Sequence, residues 1–336
     1  MHNSEFWKGK KVFITGHTGF KGSWLTQVLV GWGAIVKGFS LQPDGQNSHF
    51  SSLGLESKID HQIGDIRNSE ELKQSISDFK PDIVIHLAAQ ALVRNSYKDP
   101  KTTFNTNVMG SLNLLEAVNY CDSVKALVYI TSDKCYENKD DNLPYKEEDP
   151  MGGHDPYSSS KGCAELITSS FRNSFFSNSD TKEFDISLAS VRAGNVIGGG
   201  DWAENRIVPD IIRGIIDKKI IKIRNPNAIR PWQHVLEPLR GYLELVEKIW
   251  NNKSEYAESW NFGPDHEDLK SVSWITDKII DAWGSDVKVD YNNTDYKPET
   301  NLLKLDCSKA KSKIKWMPKI KLEQAIQLTV DWYKQY

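Results

Sequence analysis

The chain of 336 residues has little of what marks secreted, membrane-embedded or nucleic-acid-binding proteins. Its four cysteines, at 121, 135, 163 and 307, form no C-x-x-C pair and no zinc-ligand spacing with histidine, which predicts reduced thiols, no disulfide and no metal. The polar start, Met1 to Lys11, is followed by no apolar run of signal-peptide type. The longest apolar stretches, such as Asp82 to Ala89, are too short to cross a bilayer. Neither charge is in excess, with 42 basic against 45 acidic residues and a net charge of −3. Concentrated basicity is what a nucleic-acid partner needs, and it is missing. Repeats and low-complexity linkers are also missing. The expectation is a cytoplasmic protein with neither a membrane nor a nucleic-acid partner.

What is present is core-forming material: 39 % hydrophobic residues, 10 % aromatic, and 11 tryptophans. The length suggests about two domains. Lys11 to Thr15 is a buried-strand run, and apolar residues at 24, 25, 28, 29 and 32 then repeat with helical spacing. Ala34 to Phe39, Pro81 to Leu87, Ala126 to Ile130 and Ile186 to Val191 read as further strands, with a helix over Asn107 to Val118. This alternation predicts an α/β fold, a Rossmann-type doubly wound parallel sheet with a smaller α/β substrate-binding lobe. The nucleotide-binding domain is expected over 1–190 with a return near 235–262, and the lobe over 191–234 and 263–336.

Between the first strand and its helix lies Gly16-His-Thr-Gly19-Phe-Lys-Gly22. Glycines at that spacing allow a tight turn and let backbone N–H groups approach a pyrophosphate at a helix N-terminus. The context is that of a dinucleotide loop rather than a bare turn. At the end of the second strand, Phe39-Ser40-Leu41 offers no arginine, and Asp44 comes late. That leans towards NAD and leaves NADP open. Asp65, after a possible third strand, suits either an adenine amino group or a helix cap.

Tyr157 and Lys161 stand four residues apart, on one face of a helix. A neighbouring ammonium stabilises a phenolate, so the pair suits a general base. Ile130-Thr-Ser-Asp-Lys-Cys-Tyr136 lies at a strand end, where open α/β sheets gather active residues. Ser132 (or Thr131) could polarise a sugar oxygen. Asp133 and Lys134 add an acid and an amine, more than oxidation alone requires.

With these three motifs together the chain resembles the extended short-chain dehydrogenase/reductases, from the first strand to Leu305–Ala310 and Trp316-Met-Pro318. Within that family, Thr131 to Tyr136, Val191 to Trp202 and Ile229 to Val235 are similar to the branch of nucleotide-sugar 4,6-dehydratases that acts on CDP-glucose. Asp133-Lys134 stands where the dTDP- and GDP-sugar branches carry Asp-Glu. The resemblance implies bound NAD, a CDP-glucose substrate, a homodimer or higher homo-oligomer, and a place in deoxysugar (O-antigen/lipopolysaccharide) biosynthesis. It implies Tyr157, assisted by Lys161, as the base for the sugar 4-hydroxyl, with Ser132 holding the oxygen. Lys134 would take the C5 proton and Asp133 would protonate the departing 6-hydroxyl; these last two roles could be exchanged. Expected cofactor contacts are Gly16, Thr18, Gly19, Phe20, Gly22, Asp65, Ile66, Leu87, Ala88 and Ala89, with Tyr157 and Lys161. Expected substrate contacts are Arg94, Arg192, Asn195, Arg206, Arg230 and His234, since arginines grip a diphosphate bidentately. Trp232 could stack on a ring or pack in a core. The lysines between 304 and 321 read as a solvated helix face, and the acid-rich Glu137–Asp141 as a surface loop. A nucleotide-sugar 4-epimerase and a non-catalytic dinucleotide sensor are the alternatives.

Overall fold

A computed structural model describes residues 4–43, 45, 47–138, 143–176, 186–291 and 303–336. Asp44 and the centre of the acid-rich loop, 139–142, lie outside the described residues. The alternating runs become β1 (Lys11–Thr15), β2 (Ile35–Ser40), β3 (Asp60–Ile63), β4 (Ile83–His86), β5 (Ala126–Ile130) and β6 (Ser187–Ala193). All pair in parallel, in the order β3-β2-β1-β4-β5-β6. Beyond β6 the sheet gains a seventh strand, Ser259–Phe262, whose polar start and interior asparagine hid it from pattern reading. β4, β5 and β6 are buried along their whole length, as a sheet covered on both faces requires.

The strand order reverses between β1 and β4, and this switch point opens the crevice above the strand ends where α/β proteins bind ligands. One sheet face packs on helix Phe20–Gly31 and helix Leu236–Asn251, with Trp7, Trp260 and Trp316 fully buried in that layer. The opposite face packs on helices Ser69–Phe79, Ser111–Asn119 and Pro156–Phe171. A separate apolar core joins helices Ile207–Ile216, Val272–Trp283 and Leu322–Gln335 beside the crevice. The segment holding Cys307, Ala310, Ile314 and Trp316 returns to the core of the sheet. Lys309, Lys311 and Lys313 lie on a short helical segment, 308–314, while Lys304, Lys315, Lys319 and Lys321 flank it in non-helical chain; Lys309 and Lys313 pair with Glu258, and Lys311 and Lys321 with Asp265. Among the described residues no helix is long and apolar enough to cross a membrane.

Candidate active site

A cavity of about 1190 Å³ lies over the switch point, with the glycine loop as its floor. Gly16 has φ +74°, and a Cβ there would stand 2.7 Å from the Ala88 nitrogen. A Cβ on Gly22 would stand 2.1 Å from the Gly16 carbonyl oxygen. Only hydrogen fits at either position, so the turn closes tightly and helix Phe20–Gly31 begins against it. The Thr18 hydroxyl bridges to Ser40 Oγ at 2.8 Å and donates to the Leu41 carbonyl at 3.0 Å, tying the loop to the end of β2. This backbone cradle, closed by a helix N-terminus, fits a dinucleotide pyrophosphate.

Gly16, Thr18, Gly19, Phe20, Gly22, Asp65, Ile66, Leu87, Ala88 and Ala89 all line the cavity. Asp65 is held by Arg67, whose Nε donates to both carboxylate oxygens at 2.9 and 3.0 Å, keeping the carboxyl below its usual range. It does not cap the next helix. Asn68 does, accepting from the Glu71 nitrogen.

The strand end after β5 and the first turns of helix Pro156–Phe171 meet on the far wall. Asp155 caps that helix, accepting from the Ser158 nitrogen at 3.0 Å, and Pro156 starts it. Tyr157 and Lys161 therefore project from successive turns into the cavity beside Ser132, Asp133 and Lys134. Ser132 Oγ accepts from the Lys134 nitrogen at 3.2 Å and donates to Asp133 Oδ1 at 3.1 Å, and it lies close enough to Tyr157 to lower the pKa of its phenol. Asp133 is buried, and burial raises its carboxyl above the usual range against Lys134, Ser132, Arg230 and Lys21. Its Oδ2 has no hydrogen-bond partner among the described residues. A buried carboxyl in that position favours the protonated form.

Burial pushes the Tyr157 phenol up to about 12, with the Ser132 hydrogen bond and the Arg206 charge pulling the other way. Burial likewise pushes Lys161 down to about 8, while Cys135 and Glu165 hold its proton. The cation opposing the rise of the phenol is thus Arg206, where Lys161 was the expectation.

Lys21, unnoticed in the sequence because it fills a variable position of the glycine motif, also lines the cavity. Burial and Arg206 push it down to about 8, against Asp133. Asn107 was equally hidden. It sits in the π-turn Asn105–Gly110, accepting from the Gln90 nitrogen at 2.8 Å and donating to Ser160 Oγ at 2.9 Å. No periodicity distinguishes such a residue from an ordinary helix position.

Arg94, Asn195, Arg206 and Arg230 line the substrate side, joined by Arg224 and Asn225. Arg206 pairs with Asp201 at 3.0 Å. Trp232 serves both expectations, lining the cavity while its indole donates to the Lys270 carbonyl at 2.8 Å. Two expected substrate contacts are corrected. Arg192 lies within β6, and its side chain turns away from the cavity to pair with Glu165 at 2.8 Å. His234 is buried beside Trp24, its Nδ1 accepting from the Leu236 nitrogen at 3.3 Å, and it too does not line the cavity.

A parallel switch-point sheet, a glycine cradle and a hydroxyl–tyrosine–lysine wall define a dinucleotide-dependent enzyme of sugar-nucleotide type. The chain belongs to the GDP-mannose 4,6-dehydratase family, which it matches over residues 13–329. It is 50 % identical over 334 residues to the CDP-glucose 4,6-dehydratase of Salmonella typhimurium, covering 99 % of this chain and 93 % of that one. It is 25 % identical to the dTDP-glucose 4,6-dehydratase of Xanthomonas campestris over 95 % of this chain and 92 % of that one. Among solved structures, the dTDP-glucose 4,6-dehydratase of Bacillus anthracis in complex with NAD superposes with a TM-score of 0.79 at 22 % identity, over 97 % of each chain. The UDP-glucose 4-epimerase of Thermotoga maritima gives 0.84 at 23 % identity, over 97 % of this chain and 99 % of that one. These likenesses show the fold.

Proposed function

We propose that this protein converts CDP-glucose to CDP-4-keto-6-deoxyglucose and water, with NAD as a cofactor recycled in each turnover. The observation that carries this reading is the 50 % identity to a CDP-glucose 4,6-dehydratase across nearly the whole of both chains. Asp133 and Lys134 beside Tyr157 support it, since a 4-epimerase has no step for an added acid and amine.

NAD, when bound, supplies the acceptor for the hydride leaving C4 and the donor for its return to C6. Tyr157 takes the proton of the 4-hydroxyl, and Ser132 donates to the same oxygen. The phenol needs help to ionise at neutral pH because burial raises it to about 12. Ser132 and Arg206 favour its charged form. Oxidation at C4 acidifies the C5 proton, which Lys134 removes as general base. Asp133, whose carboxyl burial raises above the usual range, donates to the departing 6-hydroxyl so that it leaves as water. The proton held on Lys134 then returns to C5 as C6 is reduced. Atoms balance: one water leaves, the cofactor ends as it began, and the proton left on Tyr157 passes through Ser132, 3.1 Å from Asp133 Oδ1, or through solvent to replace the one Asp133 gave up.

For the ligands, we assign the glycine loop, Phe20, Asp65, Ile66 and Leu87–Ala89 to the dinucleotide, and Arg94, Asn195, Arg206 and Arg230 to the sugar nucleotide. NAD over NADP is supported by Ser40 and Leu41 at the end of β2, where the cavity wall carries no arginine among the described residues. On the likeness to nucleotide-sugar dehydratases we further propose a role in deoxysugar supply for lipopolysaccharide, in the cytoplasm and as a homodimer or higher homo-oligomer. Incubation with CDP-, dTDP-, GDP- and UDP-glucose, followed by detection of the 4-keto product, tests the reading. Product from CDP-glucose alone is expected. Turnover of another sugar nucleotide in preference would overturn the substrate assignment.

A further inference from the structure

Glu165 and Arg192 do not line the cavity, yet both are almost wholly buried, each 3 % exposed. An apolar pair would fill that space with less desolvation, so the ion pair calls for a reason beyond packing. Glu165 lies on helix Pro156–Phe171, one turn beyond Lys161 and two beyond Tyr157, on the same face. One carboxylate oxygen accepts from the hydroxyl of Thr131, the residue immediately before Ser132. The other accepts from Ser190 Oγ and from the Arg192 guanidinium, each at 2.8 Å. Arg192 in turn donates to the Tyr136 hydroxyl at 2.6 Å and to the Glu147 carbonyl at 3.0 Å. Its guanidinium lies 4.8 Å over the Tyr136 ring, and Tyr136 directly follows the turn Asp133–Cys135. The pair therefore grips the chain on both flanks of Ser132, Asp133 and Lys134, from the helix that carries Tyr157 and Lys161.

We propose that Glu165 and Arg192 are positioning residues, a buried clamp that holds the strand-end hydroxyl, acid and amine in register with the tyrosine–lysine helix. The clamp deepens the dehydratase reading, in which two proton transfers on two elements must converge on one sugar ring. Misplacing either element weakens the chemical steps more than it weakens sugar-nucleotide binding.

The test uses the full chain and the variants Thr131→Val, Thr131→Ser, Arg192→Met and the neutral double variant Glu165→Gln/Arg192→Met. Amide hydrogen exchange over 131–136 is followed without ligand, and kcat and KM for CDP-glucose are measured separately. Thr131→Val and Arg192→Met are expected to speed exchange in that segment about tenfold and to lower kcat about 10- to 100-fold, with KM within about twofold. Thr131→Ser restores both quantities. The double variant folds without an orphaned buried charge and shows the same local loosening, so a poorly folding Arg192→Met leaves the test intact. Unchanged exchange over 131–136, or acceleration spread evenly over the chain, overturns the clamp whatever the activity. If the unmodified protein fails to turn over CDP-glucose, the dehydratase reading falls, while the exchange data still decide the clamp.

Discussion

In the proposed mechanism Lys134 is the residue that separates dehydration from simple oxidation. Lys134→Ala is expected to lower product formation about 100-fold or more, since a positioned general base contributes on that order. Oxidation at C4 should survive it, seen as a stoichiometric rise in reduced cofactor when CDP-glucose is added. Equal loss of both steps would contradict the role. Asp133 carries the opposite expectation for stability. A carboxyl raised by burial is uncharged when folded at low pH, and its stability contribution is lost as pH rises through the folded value. Asp133→Asn removes that penalty, so thermal unfolding at pH 7 should shift upwards while kcat falls. A lower melting temperature at pH 7 would count against the neutral-acid assignment. Residue types and spacings announced this grouping in one cavity: Tyr157 and Lys161 share a helix face, and Ser132 to Lys134 follow a strand end. Arg192 misled because composition says only that arginines suit phosphates. Its direction depends on which side of β6 it points from, and on Glu165, which is distant in sequence.

At the scale of elements, the glycines set how closely helices approach the strand ends. A Cβ on Gly162 would meet the Gly152 carbonyl oxygen at 2.9 Å and the Cys135 carbonyl oxygen at 3.2 Å. Gly162→Ala should therefore push helix Pro156–Phe171 off the turn that carries Asp133 and Lys134. The expected cost is about 1–3 kcal/mol in unfolding free energy, with a fall in kcat, measured by urea unfolding and steady-state kinetics. A variant as stable and as active as the parent would show that this contact is compliant. The parallel strands were legible because buried runs of β-branched residues bounded by turns have few other readings. Strand Ser259–Phe262 was not, because four residues alternating polar and apolar are too short a run to stand out, and the alternation suggests a half-solvated strand where Asn261 is in fact buried. Asn261 is buried by partners from other elements, receiving the Tyr136 hydroxyl on Oδ1 at 2.7 Å and donating to the Tyr145 carbonyl at 2.9 Å.

The whole molecule carries a pH liability in its buried histidines. Burial pushes His17 and His86 down to about 3, and His49 and His234 down to about 4. His17 is lowered further by His61, with which its Nε2 shares a 2.6 Å hydrogen bond. Each is neutral when folded and titrates near 6.5 when unfolded, so the unfolded chain binds more protons below that pH. The stability is present above about 6.5 and is lost as pH falls, by about 1.4 kcal/mol per histidine one unit lower. The melting temperature should drop steeply between pH 7 and 5.5, and a flat profile would contradict the burial of these rings. The near-neutral charge fits the proposed reading, in which the phosphates would be met by a glycine cradle, a helix end and a few arginines lining one cavity. Part of the tryptophan surplus belongs to packing, with Trp7, Trp260 and Trp316 wholly inside the sheet layer, while Trp202 and Trp232 line the cavity.

The central claim is that one hydride leaves C4 and returns to C6 of the same sugar without escaping. CDP-glucose deuterated at C4 tests it directly, with the product read by mass spectrometry and NMR. One deuterium at C6 of the 4-keto-6-deoxy product is expected, with no net change in the cofactor. Deuterium lost to solvent, or left at C4 of an epimerised sugar, would contradict it.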